Sequence, residues 1–279
     1  MYPATKMVTS LAGKIAYWDT EKEAPALLFI HGNSACKEVF IHQFDSPSLQ
    51  DYRLVALDLP GHGESDDYPN ALEKSSMSSF AEIVSDVICR LNLENPTMIG
   101  WSLGGHIGIE MLGQGVNLSG LVLSGTPPCG PGLDDIGSAF TPSPHMALTG
   151  KDVFTDEDVQ QYADHVYGLS KPIPKKLMDN IKRTQGAVRT GILGNFMTPG
   201  SAHGQKTVVA TSKVPIAVLQ GENDSFMGLD YLESLKWNNL WRDKIAVVQG
   251  AGHAPFWDKP EDYNNLLLRL LTGHKPLKK

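Results

Sequence analysis

The sequence predicts an α/β fold: a mostly parallel central sheet flanked by helices, with a helical cap inserted into it. Three observations carry this. Short apolar runs alternate with helical patterns, as in successive strand–helix–strand units. Several of the runs, such as ALLFI at 26–30, are continuously aliphatic, as strands covered on both faces are. The alternation breaks after Leu123 and resumes only at Val214, which leaves room for an insertion.

In chain order, strands are expected at Lys14–Trp18, Ala26–His31, Arg53–Asp58, Thr97–Gly100, Gly120–Ser124, Pro215–Gln220 and Lys244–Gln249. A helix is expected over Ser79–Leu91, where Phe80, Ile83, Val84, Val87, Ile88 and Leu91 recur at the helical period. The segment GTPPCGPGLDDIGSAFTPSPH, 125–145, is rich in Gly, Pro and Ser and reads as loop. A helix over Asp156–Tyr167 follows, with Thr155 and Asp158 spaced as a capping box, and another begins near Pro174. The last helix is expected over Pro260–Leu271: Pro260 suits a first turn, and Glu261 and Asp262 suit the positive end of the helix dipole. Residues 1–128 and 212–279 form the expected core and 129–211 the cap, with only the LKK tail, 277–279, expected to be disordered.

Composition narrows the function. Of 279 residues, 41% are hydrophobic and 20% charged, enough for a sizeable core. A net charge of −7 argues against a nucleic-acid partner, whose phosphates would repel the chain. Cys36, Cys89 and Cys129 are too few and too irregular for a disulfide framework, so a reducing compartment is the simpler reading. The first residues lack a basic segment followed by an apolar run, and no stretch is long enough to span a bilayer, so a cytoplasmic protein with no membrane partner is expected. The nine histidines form neither H-x-H nor H-E-x-x-H, and no P-loop is present, so neither a metal nor another cofactor is expected. Nothing in the sequence assigns an oligomeric state.

The chemistry-bearing motif is GWSLGGHIG, 100–108, which follows the apolar strand TMI and opens a helix-compatible run. A G-x-S-x-G turn in that setting lifts its serine, Ser102, above the strand ends as a nucleophile. His253, in GAGHAPF after the last strand, is the candidate general base. Asp224, in GEND after the preceding strand, is the candidate acid, preferred over Glu222 because it lies farther into the loop. The loop His31-Gly32-Asn33-Ser34 stands where an oxyanion N–H is needed, so the donors are assigned to Leu103 and to Asn33 or Ser34. His31 and His62, the latter in DLPGHGESD, are read as ordering their loops.

HGNS, DLPGHGESD, GWSLGGHIG, GEND and GAGHAPF together resemble the serine hydrolases of the α/β-hydrolase fold throughout the core. GWSLGGHIGIEM, SGTPP, HMALTG and NLW are similar to one branch, the metal-independent AidH-type N-acyl-homoserine lactonases. This resemblance implies a Ser102–His253–Asp224 triad, a small lactone or ester substrate and a quorum-quenching role. The acid in that branch is a Glu, so Asp224 is one methylene shorter. The branch's substrate-binding cap tyrosine matches Tyr162, which lies on a helical face with Val159, Ala163 and Val166; packing of that face is an equal reading. Trp101, Met146, Tyr162, Phe226 and Met227 are the candidate substrate contacts, and Phe140, Phe196 and Met197 further candidate linings. A carboxylesterase for short acyl esters, a C–C bond hydrolase and a non-catalytic small-ligand receptor are the alternatives.

Overall fold

The computed structural model describes residues 2–130, 132–168 and 171–273, so the tail 277–279 lies outside the described residues. Eight strands, β1 (Lys6–Ser10), β2 (Gly13–Asp19), β3 (Ala26–Ile30), β4 (Arg53–Leu57), β5 (Thr97–Trp101), β6 (Gly120–Ser124), β7 (Ile216–Gly221) and β8 (Ala246–Val248), form one sheet. Their order is β1-β2-β4-β3-β5-β6-β7-β8. β1 and β2 are antiparallel to their neighbours and the rest are parallel.

β1 is the strand the sequence reading misses. KMVTS alternates half-buried and exposed residues on a sheet edge, so it lacks the aliphatic run that marks the central strands. Gly13, at φ 104°, turns the chain from β1 into β2. The last strand is shorter than expected, because Trp241–Asp243 is a 3-10 turn whose Trp241 carbonyl accepts from Lys244 N.

The helices are α1 (Ile41–Phe44), α2 (Ala71–Lys74), α3 (Met77–Arg90), α4 (Leu103–Gly113), α5 (Leu133–Ala139), α6 (Asp156–Tyr167), α7 (Lys175–Arg183), α8 (Gly186–Phe196), α9 (Gln205–Thr211), α10 (Leu229–Ser234), α11 (Pro255–Asp258) and α12 (Pro260–Gly273). The period-two geometry of β3 divides its side chains between two cores. Leu28 and Ile30 join Phe80, Val84, Ile107 and Met111 of α3 and α4, while Leu27 and Phe29 join Phe40, Tyr263 and Leu267 on the opposite face.

Helices α5 to α9 lie between β6 and β7. The segment expected as loop is partly ordered: it contains α5, and a 3-10 stretch begins at Pro144. Asp134 and Asp135 in the first turn favour α5 despite its flanking glycines, and the Asp135 carboxylate accepts from Gly130 N at 2.9 Å. The capping box on α6 forms as read, with Thr155 Oγ1 accepting from Asp158 N. Arg189, only 1% exposed, knits these helices by donating to the carbonyls of Lys151, Asp152 and Ile181.

Beneath them, Lys37 is fully buried and pairs with Asp58 at 2.9 Å, with Glu64 at 3.0 Å and with Glu38 at 3.3 Å. Asp58 also accepts from the backbone N–H of Lys37 and Glu64. Burial opposes the Lys37 charge, but Asp58 and Glu38 outweigh it and hold the ammonium above its ordinary range. This tie locks the loop after β3 to the loop after β4. Lys37→Met should therefore leave Asp58 buried without its counter-charge and cost about 3–5 kcal/mol, read as a lower midpoint in urea unfolding.

Candidate active site

Between β5 and α4 the chain reverses through Ser102, at φ 52° and ψ −115°. Such a conformation costs a non-glycine residue on the order of 1–3 kcal/mol and persists only where its surroundings over-determine it. Ser102 N donates to Ser124 O at 2.8 Å, and Ser102 O accepts from Gly105 N at 2.9 Å and from Thr126 Oγ1 at 2.9 Å. The flanking glycines admit the close approach. A Cβ on Gly104 would stand 2.1 Å from the Ile30 carbonyl oxygen, and one on Gly100 would stand 2.6 Å from the Gly104 backbone.

Two loops at the carboxyl ends of β7 and β8 meet beside this turn. His253 Nδ1 lies 2.9 Å from Asp224 Oδ2 and 3.1 Å from Oδ1. The carboxylate also accepts from Gln220 Nε2 at 2.6 Å and from Phe226 N at 2.8 Å. With a carboxylate at Nδ1, that nitrogen carries the hydrogen and Nε2 is left for proton exchange. Glu222 points elsewhere, accepting from Gly250 N at 2.8 Å, so the acid that reaches the imidazole is Asp224. Gln220 escaped the sequence reading. It sits inside a buried strand, and only the fold shows that it joins Asp224 to Gly125 N, which it accepts at 3.0 Å.

Ser102 and His253 line one cavity, with Gly32, Asn33, Trp101, Leu103, Met146, Tyr162 and Phe226. Leu103 N and Asn33 N donate to no acceptor among the described residues, as a pair of oxyanion donors requires. Ser34 does not line the cavity: it is buried, and its hydroxyl donates to Asn33 Oδ1 at 3.3 Å. Of the two residues left open by sequence, the geometry favours Asn33.

Phe140 and Phe196 line the cavity as expected, but Met197 and Met227 do not. Met227 is 2% exposed and packs in the core beneath, because its neighbour Phe226 takes the site-facing position against the His253 ring at 4.3 Å. Trp101 lines the cavity and also supports His253, its Nε1 donating to His253 O at 2.9 Å. Tyr162 donates to Asn33 O at 2.8 Å, tying the inserted helices to the loop after β3. Met77, Ile136, Ile192 and Leu193 complete an apolar wall that sequence did not single out. Their helices give no signal distinguishing a cavity-facing from a core-facing aliphatic.

The neighbouring histidines brace loops. His31 Nδ1–H donates to Gly32 O at 2.7 Å, and its Nε2 accepts from Leu59 N at 3.0 Å. His62 Nδ1–H donates to Pro60 O at 2.9 Å. Burial lowers the pKa of His31 to about 4 and that of His62 well below the ordinary range. Among the described residues, no cluster of three or more His, Cys, Asp or Glu could hold a metal, and no helix is long and apolar enough to cross a membrane.

Residues 25–260 match the family model for the alpha/beta hydrolase fold, and the chain belongs to that family. Within it the protein is an AidH-like α/β hydrolase. A variant of the N-acyl homoserine lactonase AidH, in complex with N-hexanoyl homoserine, is 34% identical with a TM-score of 0.93, covering 100% of this chain and 99% of that one. Curated relatives are more distant. The 2-hydroxy-6-oxononadienedioate/2-hydroxy-6-oxononatrienedioate hydrolase of Burkholderia vietnamiensis is 25% identical, covering 92% of this chain and 91% of that one. The pimeloyl-acyl-carrier-protein methyl ester esterase of Yersinia pestis is 24% identical, covering 94% and 99%.

The buried histidines make stability depend on pH. His31 and His106 stay neutral in the fold down to about pH 4, against an ordinary value of 6.5 when unfolded. Between those values the unfolded chain binds more protons. Their contribution is therefore full above pH 6.5 and lost as pH falls towards 4, at up to about 1.4 kcal/mol per pH unit for each. Urea unfolding at about pH 5 should show a lower midpoint than at about pH 7.5.

Proposed function

We propose that the protein hydrolyses the lactone ester of N-acyl homoserine lactones through a Ser102–His253–Asp224 triad. The observation that carries this reading is the 34% identity to AidH, which extends over the whole of both chains and so includes the inserted helices as well as the catalytic loops. AidH is recorded with N-butanoyl homoserine and, in a serine-to-glycine variant, with N-hexanoyl homoserine lactone.

Ser102 Oγ attacks the ring carbonyl and passes its proton to His253 Nε2. The oxyanion forms against the N–H groups of Leu103 and Asn33, at the amino end of α4, where the helix dipole adds positive potential. Collapse breaks the ring C–O bond. The leaving oxygen takes the proton back from His253, which yields an acyl-enzyme with a free hydroxyl. That hydroxyl remains on the same molecule, so reclosure competes with deacylation. Water activated by His253 then releases N-acyl homoserine and restores Ser102. The shorter Asp224 serves because Gln220 and Phe226 N hold its carboxylate at 2.9 Å from Nδ1. The apolar wall suits an acyl chain.

Mass spectrometry of N-acyl homoserine lactones incubated with the protein should show a gain of one water, abolished in Ser102→Ala. Ring opening should survive extensive chelation. Asp224→Asn should keep the fold but lower kcat by about 10⁴, because the wrong histidine tautomer faces Ser102. The methyl ester esterase relative favours a second reading, hydrolysis of simple acyl esters by the same triad. Turnover of nitrophenyl esters without any lactone opening would establish that reading in place of the first.

A further inference from the structure

The apolar wall of the cavity contains one polar ring. His106 lines the cavity among Met77, Ile136, Phe140, Ile192 and Phe196. It is 5% exposed, with its ring centroid 5.1 Å from that of Phe196 and 6.1 Å from that of Phe140. Its backbone N–H donates to Ser102 O at 3.2 Å, so it stands in the first turn of α4, one helical turn beyond Ser102. The proposed hydrolytic chemistry makes no use of it.

The protein dictates how this ring is protonated. Gln205 Oε1 accepts from Cys129 N at 3.4 Å, and Gln205 Nε2 donates to His106 O at 3.4 Å. A backbone N–H only donates and a carbonyl only accepts, so these two contacts orient the amide. Oε1 therefore faces His106 Nδ1, at 2.8 Å, and Nδ1 must carry the hydrogen. Burial lowers the pKa of His106 to about 4, so the ring is neutral. Nε2 is then a bare acceptor. It bonds no group among the described residues and, unlike Nε2 of His62, is not sealed away.

We propose that His106 Nε2 determines substrate specificity by accepting a hydrogen bond from a hydroxyl on the acyl chain, so that hydroxyacyl substrates are preferred to unsubstituted and oxo-substituted ones. This deepens the acyl-substrate reading above and rests on it. A methylene beside Nε2 displaces water and leaves the acceptor unpaired; an oxo group sets lone pair against lone pair; a hydroxyl alone supplies the missing donor. The amide N–H common to all these substrates sits next to the reacting ring, whereas His106 stands among the aromatics of the acyl wall. Gln205 acts as a positioning residue that holds the tautomer.

The test compares kcat/KM for N-hexanoyl, N-(β-hydroxyhexanoyl) and N-(β-oxohexanoyl) homoserine lactones, which share one chain length. The wild type should favour the hydroxy compound over the unsubstituted one by about fivefold or more, with the oxo compound no better than the unsubstituted one. In His106→Phe the hydroxy-to-unsubstituted ratio should collapse to about one, whatever happens to the absolute rates; loss of packing alone would not move the ratio. A wild-type ratio near one on lactones that are opened would overturn the proposal, and needs no variant to fold. Failure of the underlying reading looks different: none of the three lactones would be opened at all.

Discussion

The close approach of Gly104 to the end of β3 is the constraint on which the site depends. It brings the first turn of α4 against the Ile30 carbonyl, with no room for a side chain. Ser102 must therefore turn at positive φ to leave β5 and enter α4 in so little space. The same contact places the loop after β3 next to Ser102, so that Asn33 and Leu103 line one cavity with Ser102. A strained residue, two free N–H groups and a half-buried hydroxyl are thus consequences of one packing contact. The strain is offset by the bonds that Ser124 and Thr126 make to the Ser102 backbone.

The Asp224–His253 pair is held with comparable redundancy. Asp224 is gripped by a side chain from β7 and by a backbone N–H of its own loop, while the His253 backbone is held through Trp101 Nε1. The neighbouring Gly252 N donates to Asp258 at the end of α11. Each element therefore contributes to positioning another. Tyr162 extends this to the inserted helices, since its hydroxyl bonds the carbonyl of the residue that supplies the proposed oxyanion N–H. Movement of those helices would be felt at Asn33.

The helical insertion and the sheet were legible to different degrees. Continuous aliphatic runs marked several of the central strands, because burial on both faces favours apolar side chains at successive positions. β1 was not marked, since one of its faces meets water. Asp156–Tyr167 was readable from its capping box and apolar stripe, whereas Leu133–Ala139 lies in a glycine- and proline-rich segment and is supported by acidic first-turn residues and a contact to Gly130. Of the candidate site, Ser102, His253 and Asp224 stood out because each lies in a turn or loop that follows a strand. Gln220 and His106 did not, because a buried polar side chain acquires its role only from what surrounds it.

The chain's fold class, the turn that presents Ser102 and the two loops that carry His253 and Asp224 were all readable from residue order alone. These are local matters of residue type and spacing. The folded structure adds that Asp224 and not Glu222 reaches His253, that Asn33 and not Ser34 lines the cavity, and that of Phe226 and Met227, both named from sequence, only Phe226 does. Each pair is adjacent or nearly so in sequence and alike in chemistry, so only the direction in which the folded backbone points each side chain, and what stands opposite, separates its members. The same holds for His106: its type and position are plain in the sequence, but its tautomer is set by Gln205, ninety-nine residues away.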